Sequence, residues 1–414
     1  MQRERLSIRL RSMLAIVTLA LFATSTYAAT EKVLYSFDDN GKDGYGPKAG
    51  LIFDSAGNLY GATYQGGANA VGAVFELTPQ SGGGWTETLL YSFLNDGKDG
   101  TFPYGTLIFD ASGNLYGTTS TGGAFGYGTV FELMPKAKGV WKEKVLHNFN
   151  AGNGKDAGSP LAGLIFDGSG NLYGTSEFGG AYDYGTVFQL TPTAGGGWKE
   201  KVLHSFNPNG KDGVAPYAGL VVDASGNLYG TTLEGGVFDL GTAFELTPKT
   251  GGGWTEKVLH SFNSNGKDGF IPFSSLILDG SGDLYGGTSV GGTKSGGTIF
   301  ELTPKTGGGW KEKILFNFEY AHGSDPYGKL LFDASGNLYG TTGTGGLYAG
   351  GTAFELIQNE SGKWSEKVLH NFNDDGKDGY DPYAGLIFDG AGNLYGTTID
   401  GGVYGGGTVF EIKP

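Results

Sequence analysis

Short runs of apolar residues separated by glycine-rich turns recur along most of the chain. One stretch, residues 163–206, runs GLIFDGSGNLYGTSEFGGAYDYGTVFQLTPTAGGGWKEKVLHSF. Its apolar positions alternate with polar ones or run together over a few residues, and they lack the period of a helix. Val, Ile, Phe, Tyr and Thr favour strands, whereas the Gly, Asn and Asp between them favour turns. The stretch therefore predicts β-strands at GLIFD, NLYGT, GTVFQL and WKEKVLHSF.

This unit occurs seven times, at spacings of 54 to 57 residues. Each copy contains the phrase D-x-x-G-[N/D]-L-Y-G, whose first residues are Asp54, Asp110, Asp167, Asp223, Asp279, Asp333 and Asp389. Antiparallel four-stranded units repeated in this way predict an all-β, seven-bladed β-propeller. An open solenoid is the alternative, and the units are too long for the coils of a parallel β-helix.

The two ends of the repeat array are incomplete in complementary ways. EKVLYSF, residues 31–37, is an outer-strand phrase with no unit before it, and the seventh unit stops after its third strand. We expect residues 31–37 to pair with residues 407–412 and close the ring. Six Trp residues share the position two before the Glu of this phrase and are expected to anchor neighbouring blades, whereas Ala29 holds that place in the first copy.

The N-terminal segment differs from the repeats. Residues 1–28 combine Arg3, Arg5, Arg9 and Arg11 with an apolar run and small residues, which predicts a cleaved secretory signal, with an uncleaved anchor as the alternative. Residues 29–414 are then one propeller domain. We expect a secreted, periplasmic or extracellular protein with no transmembrane segment in its mature chain.

Charge narrows the choice of partners. The formal net charge is −14, and all four arginines lie in the N-terminal segment. An acidic protein without Arg lacks both the positive surface and the bidentate donors that nucleic acids require. We therefore expect no nucleic-acid partner, and a monomer that binds a polysaccharide or a cell-surface protein.

The consensus phrases GLIFDASGNLYGTT, GGxxxxGTVFEL and W-x-EKVLHSF cover residues 30–414 and resemble the GloVer repeat family of exported bacterial proteins. The GLIFDxxGNLYG phrase is also similar to the blades of NHL-type propellers. The resemblance implies an exported repeat protein and carries over no catalytic residue. Propellers host binders, scaffolds, lyases and hydrolases, so the fold leaves the activity open.

Histidine gives one functional candidate. His147, His204, His260 and His370 share a repeat position that holds Tyr or Phe in the other units, which indicates an aromatic structural role. His322 lies in EYAHGSDPYG, outside the pattern, and stays a candidate.

Four of the connectors contain the pattern D/N-x-D/N-G-K-D-G, as in residues 38–44. Closely spaced oxygen-bearing side chains beside a Gly are typical of calcium loops, although an Asx-turn explains the same residues. We expect no cofactor other than calcium, for which the candidate ligands are Asp38, Asn40, Asp43, Asn373, Asp375 and Asp378.

The loops between second and third strands vary where the rest of the unit is fixed. The densest cluster of aromatic and acidic residues lies in the third and fourth units, and rings beside carboxylates suit sugars or a cationic ligand. Free variation of loop tips is the alternative. The candidate ligand-binding residues are Phe178, Tyr182, Asp183, Tyr184, Glu234, Phe238 and Asp239.

The sequence therefore predicts an exported, non-catalytic binding module for a polysaccharide or cell-surface ligand. The alternative is a lyase or glycoside hydrolase, because paired carboxylates perform acid–base chemistry on sugars. Its acids would be drawn from Glu177, Asp183, Glu234 and Asp239. A structural envelope protein is the second alternative.

Overall fold

Seven four-stranded antiparallel blades form a propeller ring in the computed structural model, which describes residues 29–414. The predicted secretory signal lies outside the described residues. From the axis outward, the innermost strands are Ile52–Phe53, Ile108–Phe109, Ile165–Phe166, Val221–Val222, Ile277–Leu278, Leu331–Phe332 and Ile387–Phe388. The second strands are Leu59–Thr63, Leu115–Gly122, Leu172–Ser176, Leu228–Thr232, Leu284–Thr288, Leu338–Thr342 and Leu394–Thr398.

The third and outer strands are longer. The third strands are Ala73–Pro79, Thr129–Pro135, Thr186–Pro192, Thr242–Pro248, Thr298–Pro304, Thr352–Gln358 and Thr408–Lys413. The outer strands are Trp85–Ser92, Trp141–Asn148, Trp198–Ser205, Trp254–Ser261, Trp310–Asn317, Trp364–Asn371 and, for blade seven, Thr30–Ser36. The predicted strand order and fold class are confirmed.

Short ribbons, which the sequence pattern did not predict, join five of the connectors to the segment that follows the second strand. The paired strands are Gly44–Tyr45 with Gln65–Gly66, Ala157–Gly158 with Phe178–Gly179, Gly213–Val214 with Glu234–Gly235, Gly269–Phe270 with Val290–Gly291, and Gly379–Tyr380 with Asp400–Gly401. In blade two, Gly100–Pro103 pairs with the extended second strand. Two short 3₁₀ helices, Ala137–Gly139 and Ala151–Asn153, complete the elements, and within residues 29–414 no helix is long and apolar enough to cross a membrane.

The predicted ring closure is present. The strand Thr30–Ser36 pairs antiparallel with Thr408–Lys413, and the Phe37 amide donates to the Gly407 carbonyl oxygen at 2.9 Å. A register shift between Val33 and Tyr35 recurs at the equivalent place in the internal blades. The N-terminal strand therefore reproduces the pairing of an internal outer strand although it comes from the other end of the described chain.

Hydrophobic clusters fill the spaces between adjacent blades. The third-strand Phe of each unit is fully buried, and the outer-strand Trp packs against the second-strand Tyr of the preceding blade. Trp141 and Tyr60 show the geometry, with ring centroids 6.4 Å apart. At the seam between blades six and seven, Ala29 takes the Trp place and packs against the cluster that contains Tyr339. The prediction that Trp anchors neighbouring blades is confirmed, and at this seam the smaller Ala29 takes the place of Trp, as the sequence indicates.

One face of the ring, here called the turn face, carries the D-x-x-G-N turns. In blade four, Asp223 Oδ1 accepts hydrogen bonds from the backbone amides of Ser225 and Asn227, at 2.8 and 2.9 Å. Its Oδ2 accepts from the Asn227 side chain and the Tyr229 hydroxyl. Every carboxylate oxygen of this Asp therefore has a donor, which fixes the turn and the second strand that follows it.

Candidate functional site

The opposite face, here called the loop face, carries the connectors and the loops between second and third strands. Hydrogen bonds join these segments between neighbouring blades. The Ala215 amide of the fourth connector donates to the Tyr184 carbonyl oxygen of the third blade at 3.0 Å. An equivalent bond joins Gly46 to Gly406 across the closing seam. The loop face is thus continuous around the ring.

The residue before the connector proline is held in the left-handed backbone region in every blade. Gly46 occupies the position once, and Phe102, Ser159, Ala215, Ile271, Asp325 and Asp381 have φ of 54–61° there. Such a conformation is costly for a β-branched residue such as Ile271. Hydrogen bonds on both sides hold it, because its amide donates to Leu240 and its carbonyl accepts from Ser289. The bend delivers the residue after the proline to the ring axis.

Five aromatic side chains meet at the axis and form what we call the aromatic plug: Tyr104, Tyr217, Phe273, Tyr327 and Tyr383. Neighbouring centroids lie 4.4–6.0 Å apart. The Tyr217 hydroxyl donates to the Tyr104 hydroxyl at 2.7 Å. The cavity that the plug lines has a volume of about 100 Å³. Pockets that enclose small ligands are several times larger, so a ligand would bind across the channel mouth rather than inside it.

Charged groups surround the plug on the side of blades six, seven and one. The Lys48 ammonium lies over the Tyr64 ring, 4.3 Å from its centroid, and 5.0 Å from that of Tyr104. Burial, reinforced by Asp400, raises the pKa of Asp381 to about 6, although Lys48 opposes the shift. Loss of hydration lowers the pKa of Lys48 itself against the pull of Asp381 and Asp400. The mouth therefore combines stacking surfaces with hydrogen-bonding groups that are poorly hydrated.

The predicted acids of blades three and four have two different environments. Burial raises the pKa of Glu177, and the neighbouring Glu234 adds to the shift. Asp183 and Asp239 both have positive φ and accept a hydrogen bond from an amide of their own loop, Gly179 at 3.0 Å and Gly235 at 3.2 Å. The charge of Glu234 in the next blade thus influences Glu177, whereas Asp183 and Asp239 cap their loops. Whether any of the four takes part in binding or catalysis stays a prediction.

Exposed aromatic and aliphatic side chains are concentrated on the loop face. Eleven of the sixteen exposed large hydrophobic residues lie between a second and a third strand. We call this set the loop crown: Phe125, Tyr127, Phe178, Tyr182, Tyr184, Val237, Phe238, Leu347, Tyr348, Val403 and Tyr404. The predicted aromatic residues Phe178, Tyr182, Tyr184 and Phe238 all belong to it.

The connector acids make turn hydrogen bonds. Asn40 Oδ1 accepts from the amides of Lys42 and Asp43, at 2.8 and 3.0 Å. The Asp43 carboxylate accepts from the Gly44 amide, the Asp38 amide and the Tyr35 hydroxyl. In the seventh connector, Asp375 Oδ1 likewise accepts from the backbone amides of Lys377 and Asp378. The Asp378 carboxylate accepts from the backbone amides of Asn373 and Gly379. These contacts are those of an Asx-turn, and calcium binding by the connector stays a prediction.

The four repeat histidines make the same contact that Tyr makes in other units. The His204 Nε2 atom lies 3.0 Å from the Asp212 carboxylate of the following connector, as the Tyr35 hydroxyl lies 2.8 Å from Asp43. The position therefore selects a ring with a polar tip in six of seven units, and Phe316 is the exception. His322 is exposed and lies 3.4 Å from the Glu319 carboxylate.

Sequence reasoning missed the aromatic plug and the carboxylates near Lys48. A signal was present, because the connector proline precedes an aromatic residue in five of the seven units. The same position holds Lys48 and Leu161 in the other two. Since this residue precedes the innermost strand, the propeller topology alone would have placed it at the axis.

The fold and the site define a class, a seven-bladed propeller with an aromatic channel mouth on its loop face. The profile of the Gloeobacter/Verrucomicrobia repeat matches residues 20–165, 142–311 and 308–414. The chain therefore belongs to this repeat family, as the resemblance of its phrases predicted. A search of curated proteins finds no match.

Solved structures of similar fold include several enzymes. A PL25 ulvan lyase bound to a saccharide is 11% identical, with 92% of this chain and 95% of that chain covered and a TM-score of 0.53. An ancestral GH74 enzyme is 11% identical, with 89% and 48% covered and a TM-score of 0.53, so the chain spans about half of that protein. The periplasmic gluconolactonase PpgL of Pseudomonas aeruginosa is 15% identical, with 78% and 84% covered and a TM-score of 0.47. At these identities the likeness shows the fold alone.

Proposed function

We propose that the protein is an exported, non-catalytic binding module that takes a polysaccharide or another cell-surface ligand on its loop face. The observation that carries the proposal is the loop crown, because one face holds most of the exposed large hydrophobic side chains. Contiguous exposed apolar groups with polar neighbours mark interaction sites. The N-terminal pattern of residues 1–28 supports export.

The chemistry of the face suits a carbohydrate. Aromatic rings offer flat apolar surfaces to the C–H faces of sugars, and carboxylates accept hydrogen bonds from hydroxyl groups. Phe178 and Tyr182, which are about half exposed, lie in the same loop as Glu177, and the exposed Phe238 lies in the same loop as Glu234. The narrow channel leaves the ligand on the surface, which fits a polymer better than a small enclosed substrate.

A glycan array probed with the purified protein tests the proposal. We expect binding to a defined class of polysaccharide, weakened about tenfold or more by the double substitution Tyr182→Ala and Phe238→Ala, since each removes a stacking surface. The matched control is Val140→Ala, which removes an equally exposed apolar side chain from the turn face. Absence of binding to any glycan, or equal losses in the control, would overturn the carbohydrate proposal.

The alternative is a lyase or glycoside hydrolase, and the raised pKa of Glu177, to which the charge of Glu234 contributes, favours it over a purely structural envelope protein. A carboxyl group with a raised pKa beside a second carboxylate is the arrangement of sugar-cleaving sites. Incubation with the glycans that bind separates the two functions. Release of new sugar ends that Glu177→Gln abolishes, while binding persists, would establish the enzyme and contradict the non-catalytic module.

A further inference from the structure

A second set of polar groups lies at the outer edge of the ring, away from the loop crown. At each blade boundary an outer strand, the connector after it and the next outer strand meet in what we call a rim corner. It holds the repeat aromatic residue, the connector Asp and the Glu of the EKV phrase. The corners with all three are Tyr35–Asp43–Glu87, Tyr91–Asp99–Glu143, His147–Asp156–Glu200, His204–Asp212–Glu256, His260–Asp268–Glu312 and His370–Asp378–Glu31.

Three of the corners that contain histidine are compact. One ligand atom from each of their three residues lies within 4.8 Å of the other two, at His204–Asp212–Glu256, His260–Asp268–Glu312 and His370–Asp378–Glu31. In the second of these, His260 Nε2 lies 3.1 Å from Asp268 Oδ2 and 3.5 Å from Glu312 Oε1. Each corner thus gathers one imidazole nitrogen and two carboxylates from two successive blades.

Buried carboxylate oxygens in these corners lack hydrogen-bond donors. The Asp268 side chain is 4% exposed, and its Oδ1 has no partner among the described residues. The buried Oε1 atoms of Glu312, Glu256 and Glu31 also lack a partner, as do those of Glu87, Glu143 and Glu200 in the other three corners, so only the nearby imidazole and the closeness of the three ligand atoms distinguish the compact corners. A buried polar atom without a partner costs about 1–3 kcal/mol, and more when it is charged. The Asp268 and Glu312 carboxylates belong to one cluster with His260, so a single cation bound there would give both carboxylates a charged partner.

We propose that these three rim corners bind a divalent transition cation of the zinc type, each through one imidazole nitrogen and two carboxylates. Zinc accepts this mixture of nitrogen and oxygen ligands and often takes three protein ligands with water in the fourth position. Calcium prefers six to eight oxygen ligands, which a corner with three side chains does not supply. These sites are distinct from the connector loop itself, because the Glu comes from the neighbouring blade.

The surroundings of the corners support a built site. Asp268 Oδ2 accepts hydrogen bonds from the Asn263 amide and the Asn263 side chain, at 3.1 and 2.7 Å, which orient the carboxylate. Glu31, His370 and Asp378 line a pocket of about 470 Å³ at the surface, through which an ion can enter. That corner joins blade six to the N-terminal strand, at the seam where Ala29 stands in place of Trp. A cation there would hold the ring closed.

The repeat itself supplies matched variants. Tyr35 and Tyr91 occupy the histidine position in two corners and donate to Asp43 and Asp99, at 2.8 and 2.7 Å. A His260→Tyr substitution therefore places a residue that the same fold accepts elsewhere, while it removes the nitrogen ligand. His147→Tyr is the control, since His147, Asp156 and Glu200 are not drawn together as closely as the other described triads.

Zinc titration of metal-stripped, tag-free protein by isothermal calorimetry tests the proposal. We expect three equivalent sites per chain, two after His260→Tyr, and none after His204→Tyr, His260→Tyr and His370→Tyr combined, with His147→Tyr retaining three. Zinc should raise the melting temperature of the wild-type protein and not that of the triple variant.

Circular dichroism of each variant verifies folding. If a Tyr variant does not fold, Glu312→Gln replaces it, because the amide keeps the size of the side chain and removes its charge. Zinc binding at unchanged stoichiometry in the triple variant would overturn the proposal, as would the absence of zinc uptake by the wild type. The latter result would leave a proton shared between Asp268 and Glu312 as the partner of the buried oxygens.

Discussion

The aspartates of the turn face and the carboxylates of the channel mouth are the same chemical groups in opposite environments. Partial burial pushes the pKa of Asp223 upward, but hydrogen bonds from Asn227, Ser225 and Tyr229 outweigh it and lower the pKa. At the mouth, burial and Asp400 raise the pKa of Asp381 to about 6. Repeated carboxylates with a full set of donors belong to the frame of the blade, whereas unrepeated carboxylates with few donors are available to a ligand.

The comparison predicts that changes in the frame cost stability, while changes at the mouth cost binding. The largest effect is expected from deleting residues 29–37, which removes the outer strand of blade seven and opens the ring. Phe37 is fully buried against Phe75, and loss of such a side chain alone costs about 3–5 kcal/mol. Chemical denaturation should show a free energy of unfolding lower by at least ~5 kcal/mol.

The control for this deletion is Lys32→Ala, which removes an exposed contact from the same strand. Its effect should stay within about 0.5 kcal/mol. A shortened protein that unfolds at the same denaturant concentration as the intact one would show that the N-terminal strand does not close the ring.

The second prediction concerns pH and the rim corners that contain Tyr. Burial, with Asp43 nearby, raises the pKa of Glu87 to about 7, and burial with Asp99 raises that of Glu143 to about 8. The folded state therefore binds more protons than the unfolded state between about pH 4.5 and 8, so its stability falls as pH rises through this window. Turn aspartates such as Asp223 have lowered pKa values and lose their contribution on further acidification.

Stability should accordingly be greatest near pH 4–5, roughly the range between the two sets of groups. Denaturation in the presence of a chelator, from pH 3.5 to 8.5, measures this dependence without metal. The variant Glu87→Gln should flatten the alkaline side of the profile. A stability maximum above pH 7 would contradict the assignment of neutral glutamic acids to these corners.

The third prediction isolates one turn of the frame. In Asp223→Asn, one oxygen can still accept from the backbone, but the new amide group faces the donors of Asn227 and Tyr229. We expect a loss of about 1–3 kcal/mol in unfolding free energy, because buried donors lose a charged acceptor. Asp223→Glu, which keeps the charge, serves as the comparison for geometry. If Asp223→Asn were as stable as the wild type, the hydrogen bonds of the turn aspartates would not contribute to the stability of the blades.

The fourth prediction uses a departure within the repeat. Unit five has Asp283 where the other units have Asn, so it lacks the side-chain donor to Asp279. Burial and the neighbouring Asp279 raise the pKa of Asp283. Asp283→Asn should stabilise the protein by about 0.5–1.5 kcal/mol, the value of one added hydrogen bond. The gain should shrink at pH 3, where Asp283 is protonated, and a destabilised variant would contradict the turn geometry.

The smallest effect on stability is expected at the mouth. Asp381 has φ of 58°, which Asn tolerates, so at about pH 4, where the Asp381 carboxyl group is neutral in the folded state, Asp381→Asn should change the free energy of unfolding by less than about 0.5 kcal/mol. If the ligand contacts this carboxylate, binding by the wild type should change near pH 6 and binding by the variant should not. A loss of stability as large as that of Asp223→Asn would erase the difference between the two regions.

The sequence alone determined the fold because seven copies of one unit can be compared with one another. The repeat fixed which residues are apolar, where the turns lie and how many blades the chain contains. It also identified the first and last strands as parts of one blade. The seventh unit has no outer-strand phrase of its own, and the phrase EKVLYSF, which precedes the first unit, supplies one. Each of these inferences depends on local pattern and spacing, which a linear sequence displays directly.

Only the tertiary structure decided which side chains share a site. Tyr104 and Tyr217 are 113 residues apart and share a hydrogen bond at the axis because ring closure brings every innermost strand to one point. The rim corners combine residues of successive blades, and the environment of Glu312 depends on Asp268 and His260 packed around it. Burial and hydrogen bonding are properties of the assembled ring, so the sequence could name the acidic residues but not separate the satisfied carboxylates from the unsatisfied ones.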